Sequence, residues 1–599
     1  MLRAVLFVAV LFVTSNVVGV FTPSAFAQLE NFAPVTREML LDPSPNDWLM
    51  FSRTYDNHRF SPLDQINRRN VGELRMAWVR GLGPGVHENI PLVYRGVLYV
   101  VNPGVGIEAT GIQALDATNG DLLWEYQRKL PGDITNFIGN VGRAKNLAIY
   151  EDLVFYAAPD GYLVALDART GELRWETRMH DYRTGTQQTP GPIVVEGKVM
   201  VGRGCSGAGR TNCFISAHDA LTGKLVWKFY TTPAPDEPGG DSWGGLPEEK
   251  RMASAWGLPG AYDPARRLVY WGIGNPMPHT RLKRHGDADG TGRAAPADLY
   301  SNSTVALDPD TGKLVWHYQH LPGDDWDADH VQERILFRTA LTLDPQAVKW
   351  IHPGIARGQQ RDIAVTVGEA GGIWALDRDT GQFLWATPFP FDVPEFHISH
   401  IDVETGRTYI NWDKVLKREG DRQLVCFHDT KSYWPMAYHP GNNSLYIPYH
   451  DQCTDTTAVI RNRQGDRRIG VLRPGADPAE FAGIAKVDMS TGRLQRFYTG
   501  PHPGNGAILA TAGELIFWGD MNRRLRAFDA ETGEILWESI LGGIIQMSTI
   551  TYAVNGKQYV AVLTGDGGPG GLQPLTVVPD LKPVRGHNAV YVFALPEQR

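Results

Sequence analysis

Short apolar runs alternate with polar residues along this chain, and seven of them share one pattern of punctuation. An apolar strand closes on Asp, a Thr-Gly or Asn-Gly pair supplies a tight turn, and a second strand leaves carrying a large aromatic ring. The copies are ALDATNGDLLW from Ala114 to Trp124, then ALDARTGELRW ending at Trp175, AHDALTGKLVW at Trp227, ALDPDTGKLVW at Trp316 and ALDRDTGQFLW at Trp385. A degraded copy, KVDMSTGRLQRF, ends at Phe497, and AFDAETGEILW ends at Trp537. Each is a hairpin signal. Repetition at about 40 to 50 residues, with strands and no helical period, predicts an all-β propeller of four-stranded blades whose longer spacings mark inserted loops.

The segment from Asp47-Trp48 to Leu74 holds no copy, and the chain ends in an alternating strand, Ala589-Val-Tyr-Val-Phe-Ala594. Rings of blades often close by pairing both ends of the chain in one blade, so we expect that closure here and eight blades in all. A weak copy at Asp402-Val-Glu-Thr-Gly406, ending at Trp412, supports that number or is an ordinary hairpin. Because each blade needs only its neighbours, residues 28–599 are expected to form one domain. The Gly/Pro-rich connections Pro233 to Gly245 and His279 to Ala297 exceed a blade turn, and long loops on a rigid scaffold usually carry function.

The first residues, MLRAVLFVAVLFVTSNVVGV followed by Ala25-Phe-Ala27, have a basic start, an apolar core and a small-residue cleavage site. Residues 1–27 therefore read as a secretory signal and imply a periplasmic protein. The alternative is a retained anchor, but the apolar stretch is short for a span and broken by Thr14, Ser15 and Asn16. Four cysteines suit an oxidising compartment, and we pair Cys205 with Cys213 and Cys426 with Cys453. None lies in a Cys-x-x-Cys-His haem-attachment sequence. A net charge of −8 argues against a nucleic-acid partner.

Five local segments sharpen the picture: His87-Glu88 before Pro91-Leu-Val, Arg143-Ala-Lys145-Asn-Leu-Ala-Ile149, Gln187-Gln-Thr189-Pro190, MASAWGLPGAYDPARRLVYWGIGNP from Met252 to Pro276, and PGDDWDADH from Pro322 to His330. In this order, and with the tryptophan repeat, they resemble the quinoprotein alcohol dehydrogenases, which bind pyrroloquinoline quinone (PQQ) at the centre of an eight-bladed propeller. The resemblance runs from Asn46 to Phe593. It implies that Glu88 and the cations Arg143 and Lys145 contact the quinone, whose three carboxylates require such partners. It further implies cofactor contacts from Thr189 and Ser254, with Trp256 as the floor on which the flat ring stacks. Asn275, Asp327 and Asp329 are the implied metal ligands, the metal being Ca2+ or a lanthanide that polarises the quinone carbonyl.

Asp327 is also the implied catalytic base, since an alcohol must lose its hydroxyl proton as hydride leaves carbon. Asp329 is similar to the additional aspartate of lanthanide-using members, a hard trivalent ion wanting more anionic oxygens than calcium. Plainer readings compete: Trp256 as one core residue among 17 tryptophans, residues 324–329 as a solvated acidic loop, and 143–145 as a basic turn.

The chain also departs from the family. The adjacent cysteines of the methanol dehydrogenase branch are missing near Gly139-Asn140, Gly209 stands where a metal-binding glutamate is expected, and Glu369 lies where a basic residue is expected. The stretch CSGAGRTNCFISAHD instead resembles quinoproteins that oxidise sugars, polyols or bulky secondary alcohols, in which a disulfide brackets this loop. Gly567-Gly568-Pro569 lacks a bulky residue and would widen the mouth of the site. The activity implied is a dehydrogenase passing electrons to a separate carrier, such as a soluble periplasmic cytochrome c. The rivals are a non-catalytic propeller that scaffolds protein binding and a decayed quinoprotein.

Overall fold

The repeat builds sheets. In the computed structural model, which describes residues 29, 32–103, 109–139, 141–205, 207, 209–286 and 296–597, eight sheets of four or five strands form a β-propeller. One is Leu92–Tyr94, Val97–Asn102, Ala109–Asp116 and Leu122–Lys129, each strand antiparallel to the next. The seven motif copies supply the last two strands of seven such sheets. The eighth joins the two ends of the chain: Arg75–Gly81 pairs antiparallel with Ala589–Ala594, beside Lys557–Thr564 and Ile550–Val554. The weak copy at 402–406 builds no blade. Its flanks, Ile398–Ile401 and Thr408–Ile410, make a separate two-stranded hairpin, and the closing sheet completes the eight instead.

Each residue type in the motif has a mechanical cause. The Asp accepts from the turn it precedes, as Asp308 does from the Thr311 amide and hydroxyl, both at 2.8 Å. The Gly takes left-handed backbone, φ +69° at Gly312, where the Trp227 ring of the preceding blade lies so close that a Cβ would stand 2.5 Å from it. The indole then donates into the next blade. Trp78, Trp124, Trp175, Trp227 and Trp316 reach the carbonyls of Ala117, Ala168, Ala220, Pro309 and Arg378 at 3.2, 3.1, 3.2, 3.0 and 3.3 Å. Trp78, on the N-terminal strand, thus plays for the closing blade the part that no motif copy supplies. The ladder lapses at Trp385, whose buried indole N–H has no partner among the described residues, at Phe497, which has none to donate, and at the half-exposed Trp537, whose indole makes no such bond among the described residues.

Between those two residues a three-stranded sheet stands outside the blades, formed by Arg422–Val425, Gln452–Ala458 and Asp466–Leu472. The expected disulfides are both formed, Cys426–Cys453 within this arm and Cys205–Cys213 around a short loop. The signal segment 1–27 lies outside the described residues, and no helix among them is long and apolar enough to cross a membrane.

A buried hydrogen bond contributes about 1 kcal/mol net, and an unpaired buried N–H costs rather than contributes. Trp124→Phe should therefore lower the thermal midpoint more than Trp385→Phe, although both remove the same indole volume from buried sites. Equal losses in the two variants would show that the indole hydrogen bonds do not hold the blades.

Candidate active site

Six successive blades contribute to one site by the same device. Glu88, Lys145, Thr189, Trp256, Asp329 and Tyr433 all lie a few residues before the first strand of their blade, so six successive entries into the ring converge. At one end Glu88, fully buried, accepts from Lys145 Nζ at 2.8 Å, from the Arg143 guanidinium at 3.3 and 3.4 Å, from Tyr433 Oη at 2.9 Å and from the Gly568 amide at 2.7 Å. Burial alone would raise its pKa, but Arg143 and Lys145 hold it well below the usual carboxylate range. Burial pushes Lys145 down to about 8 against the opposing influence of Glu88. Its Nζ lies 4.2 Å from the Tyr433 ring centre and 5.3 Å from that of Trp256.

The other end is acidic. Asp329 is buried and accepts from the Trp256 indole and the Asn275 amide, each at 2.7 Å. Asp327, in left-handed backbone at φ +64°, is held by His279 Nε2 at 2.9 Å and by Arg468 Nη1. Burial would raise Asp327, but Arg468 and His279 keep it ionised well below its ordinary range, and Asp327 in turn lifts buried His279 to about 9. Asp329 is pushed up by burial and by Asp327, and Glu369 by burial and then by Asp429, Asp329 and Asp327. Glu369 accepts a short hydrogen bond from Ser432, and its amide donates to the Asp329 carbonyl at 2.9 Å. A ligating atom each from Glu369, His428 and Asp429 lie within 4.8 Å of one another.

Between the two ends lies a cavity of about 550 Å³ and a recess of about 150 Å³, which share Arg143, Trp256, Asp327 and Asp329 as walls. Thr189, Ser254 and Asn275 line the recess. Thr189 spends its hydroxyl on the Trp256 carbonyl at 2.8 Å, fixing the backbone that carries the indole. The donor set fits an anionic planar cofactor with a hard cation. Two cations face one carboxylate at the Glu88 end, while four carboxylates, Asp327, Asp329, Glu369 and Asp429, crowd the other, where burial and the neighbouring carboxylates push Asp329 and Glu369 up as groups awaiting a cation are pushed.

The family model described as "PQQ: Glucose/ethanol/alcohol dehydrogenase, beta-propeller domain" matches residues 48–391 and 483–560. The dehydrogenase subunit of the quinone-type alcohol dehydrogenase of Gluconobacter oxydans is 32% identical over 594 residues, spanning 91% of this chain and 74% of that one. The quinoprotein alcohol dehydrogenase PedH of Pseudomonas putida is 28% identical over 592 residues, 94% of this chain and 93% of that one. Among solved structures, a europium-containing methanol dehydrogenase is similar with a TM-score of 0.79 at 27% identity, covering 93% of this chain and 100% of that one. The chain belongs to the PQQ-dependent alcohol dehydrogenases.

As a quinoprotein it departs from its family for visible reasons. Gly209 has φ +65°, and a Cβ there would stand 2.6 Å from the carbonyl carbon of Glu249, so no carboxylate side chain fits at that position. Gly568 packs on Arg143, where a Cβ would meet Nε at 2.6 Å. The basic residue expected near Glu369 is missing from that segment. The guanidinium facing Asp327 is that of Arg468, which comes from the arm. Sequence reasoning missed Arg468, His279, Tyr433 and the Glu369–Ser432 pair. Only His279 carried a signal, three residues beyond the Met252 to Pro276 segment and at the head of the long connection to Ala297.

Lys145 sheds its proton near pH 8 when folded, whereas the unfolded chain keeps it to about pH 10.5. In that window the unfolded form binds more protons, so folded stability rises with pH. The apo-protein should gain stability relative to Lys145→Met as pH is raised from 8 to 10.5, by at most roughly 1.4 kcal/mol per unit, read from urea midpoints. A difference that shrinks over that range would contradict the buried-lysine electrostatics.

Proposed function

We propose that this quinoprotein is a periplasmic dehydrogenase that oxidises a polyol, sugar or bulky secondary alcohol to its carbonyl and delivers the electrons to a separate acceptor such as a soluble cytochrome c. The observation that carries the reading is the two-ended cavity: buried cations at Glu88 and a carboxylate cluster around Asp327, bridged by the Trp256 indole. Arg143 and Lys145 would hold the acidic groups of PQQ, and Trp256 would set its plane. Asn275, Asp327 and Asp329 would hold a Ca2+ or lanthanide ion. Bound there, the quinone supplies the hydride acceptor and the metal a Lewis acid.

The chain's own part in the chemistry is proton handling and placement. Asp327, ionised by its two cationic neighbours, accepts the hydroxyl proton of the alcohol. Gln573 and Thr576 line the same cavity and offer polar contacts to a hydroxylated substrate.

Two substitutions test this with PQQ-reconstituted protein and a dye acceptor. Asp327→Asn should fold, retain cofactor absorbance and lose about 10² to 10⁴ in turnover, and near-normal turnover would remove Asp327 as the base. Asp329→Ala should lower lanthanide-supported turnover more than calcium-supported turnover, because the trivalent ion depends more on an added anionic oxygen. Equal effects with both ions would leave Asp329 as a residue that only orients Trp256.

A further inference from the structure

Asp327 is held by a closed ring of four ionic groups. His279 Nε2 meets its Oδ1 at 2.9 Å and Arg468 Nη1 its Oδ2. Asp466 closes the ring, its Oδ2 lying 3.3 Å from His279 Nδ1 and 3.4 Å from Arg468 Nε. The backbone is caught as well, since His428 Nε2 donates to the Asp327 carbonyl at 2.9 Å. Of the four partners of Asp327 and its ring, Asp466 and Arg468 lie on the arm strand Asp466–Leu472, His428 follows closely on the arm strand Arg422–Val425, and none comes from a blade strand.

The arm's geometry selects one of two adjacent arginines. Along Asp466–Leu472 the side chains alternate: Arg467 and Ile469 are exposed, while Arg468 turns inward and lines the same cavity as Trp256. A guanidinium is suited to this place because its planar fork donates to two carboxylates in fixed directions, which a lysine ammonium cannot do. Among the cavity-lining residues Arg468 is the guanidinium at the acidic end, Arg143 being committed to Glu88.

We propose that Arg468 is the positioning residue for proton transfer in this enzyme: the arm outside the propeller aims the Asp327 carboxylate through Arg468, so the arm is part of the catalytic apparatus. The proposal rests on Asp327 being the base.

The test uses the holoenzyme loaded with PQQ and calcium, a dye acceptor, and whichever of ethanol, 2-butanol and glycerol the parent oxidises fastest. A misaimed base costs roughly 10- to 100-fold in rate, so Arg468→Ala should show that loss in kcat with little change in KM and with cofactor absorbance retained. Millimolar guanidinium chloride should restore turnover, whereas sodium chloride at equal ionic strength should not. Arg468→Lys should fall between parent and alanine variant. Parent-like kcat in Arg468→Ala, or a loss that guanidinium leaves untouched, overturns the proposal. If the alanine variant does not fold or load cofactor, Arg468→Lys decides: full parent kcat there means charge alone suffices and positioning is wrong. The two levels are separable, because an inactive Asp327→Asn beside a fully active Arg468→Ala removes only this inference, whereas an active Asp327→Asn removes the base itself.

Discussion

The structure depends on one contact, the indole of one blade laid over the turn glycine of the next with its N–H on that blade's backbone carbonyl. The contact is local and repeats, so each blade's position is set by its neighbour. It also explains five of the motif's glycines: at Gly120, Gly171, Gly223, Gly312 and Gly381 a larger residue would collide with the ring, and the Asp holds the turn in the shape the ring needs. Between Trp385 and Phe497, two of the positions where the ladder lapses, the chain inserts the arm and staples it with Cys426–Cys453. The region least constrained by docking is the one that supplies the most individual part of the site.

Fixing the blades fixes where their entering segments converge, and the site's chemistry follows from what those segments carry. Charge is separated within one cavity. The Glu88 end holds a carboxylate between two cations in a dry setting, which breaks badly if either partner is lost. The Asp327 end crowds carboxylates whose mutual repulsion is relieved by cations, some from the chain, such as Arg468 and His279. Preorganised charge of this kind does its work without reorganising during reaction.

Much of this was readable from the sequence. Turn chemistry and period gave the blades, because hairpin propensity is local and each copy states it in full. Glu88, Lys145, Trp256 and the aspartates were recognisable because they sit in short segments before blade strands and keep a fixed order. Three things were not readable. The hairpin at 402–406 has the motif's turn, yet whether a hairpin joins a blade depends on what packs beside it. Gly209 looked like a lost ligand, and only the nearness of the Glu249 backbone shows that a side chain has no room there. Arg468, adjacent to Arg467 in a polar run, is distinguished solely by which face of a strand it occupies, a matter of register that no composition reveals.

The closing blade joins residues more than five hundred positions apart, Gly81 opposite Ala589. The charged pocket straddles that seam: the amide of Gly568, from the last blade, donates to Glu88, which enters the first, and Val86 bridges to Asp566 beside it. Pocket and seam therefore form in the same event, since neither side of the Glu88 site is complete until the ends meet. Anything that binds the finished pocket and not the open chain pulls the ring shut by mass action. A ligand in the pocket is then a clasp on the whole propeller, added to the strand pairing and the few side-chain hydrogen bonds, such as those of Asn588 to the Gly83 and Gly85 carbonyls, that already hold its longest-range join.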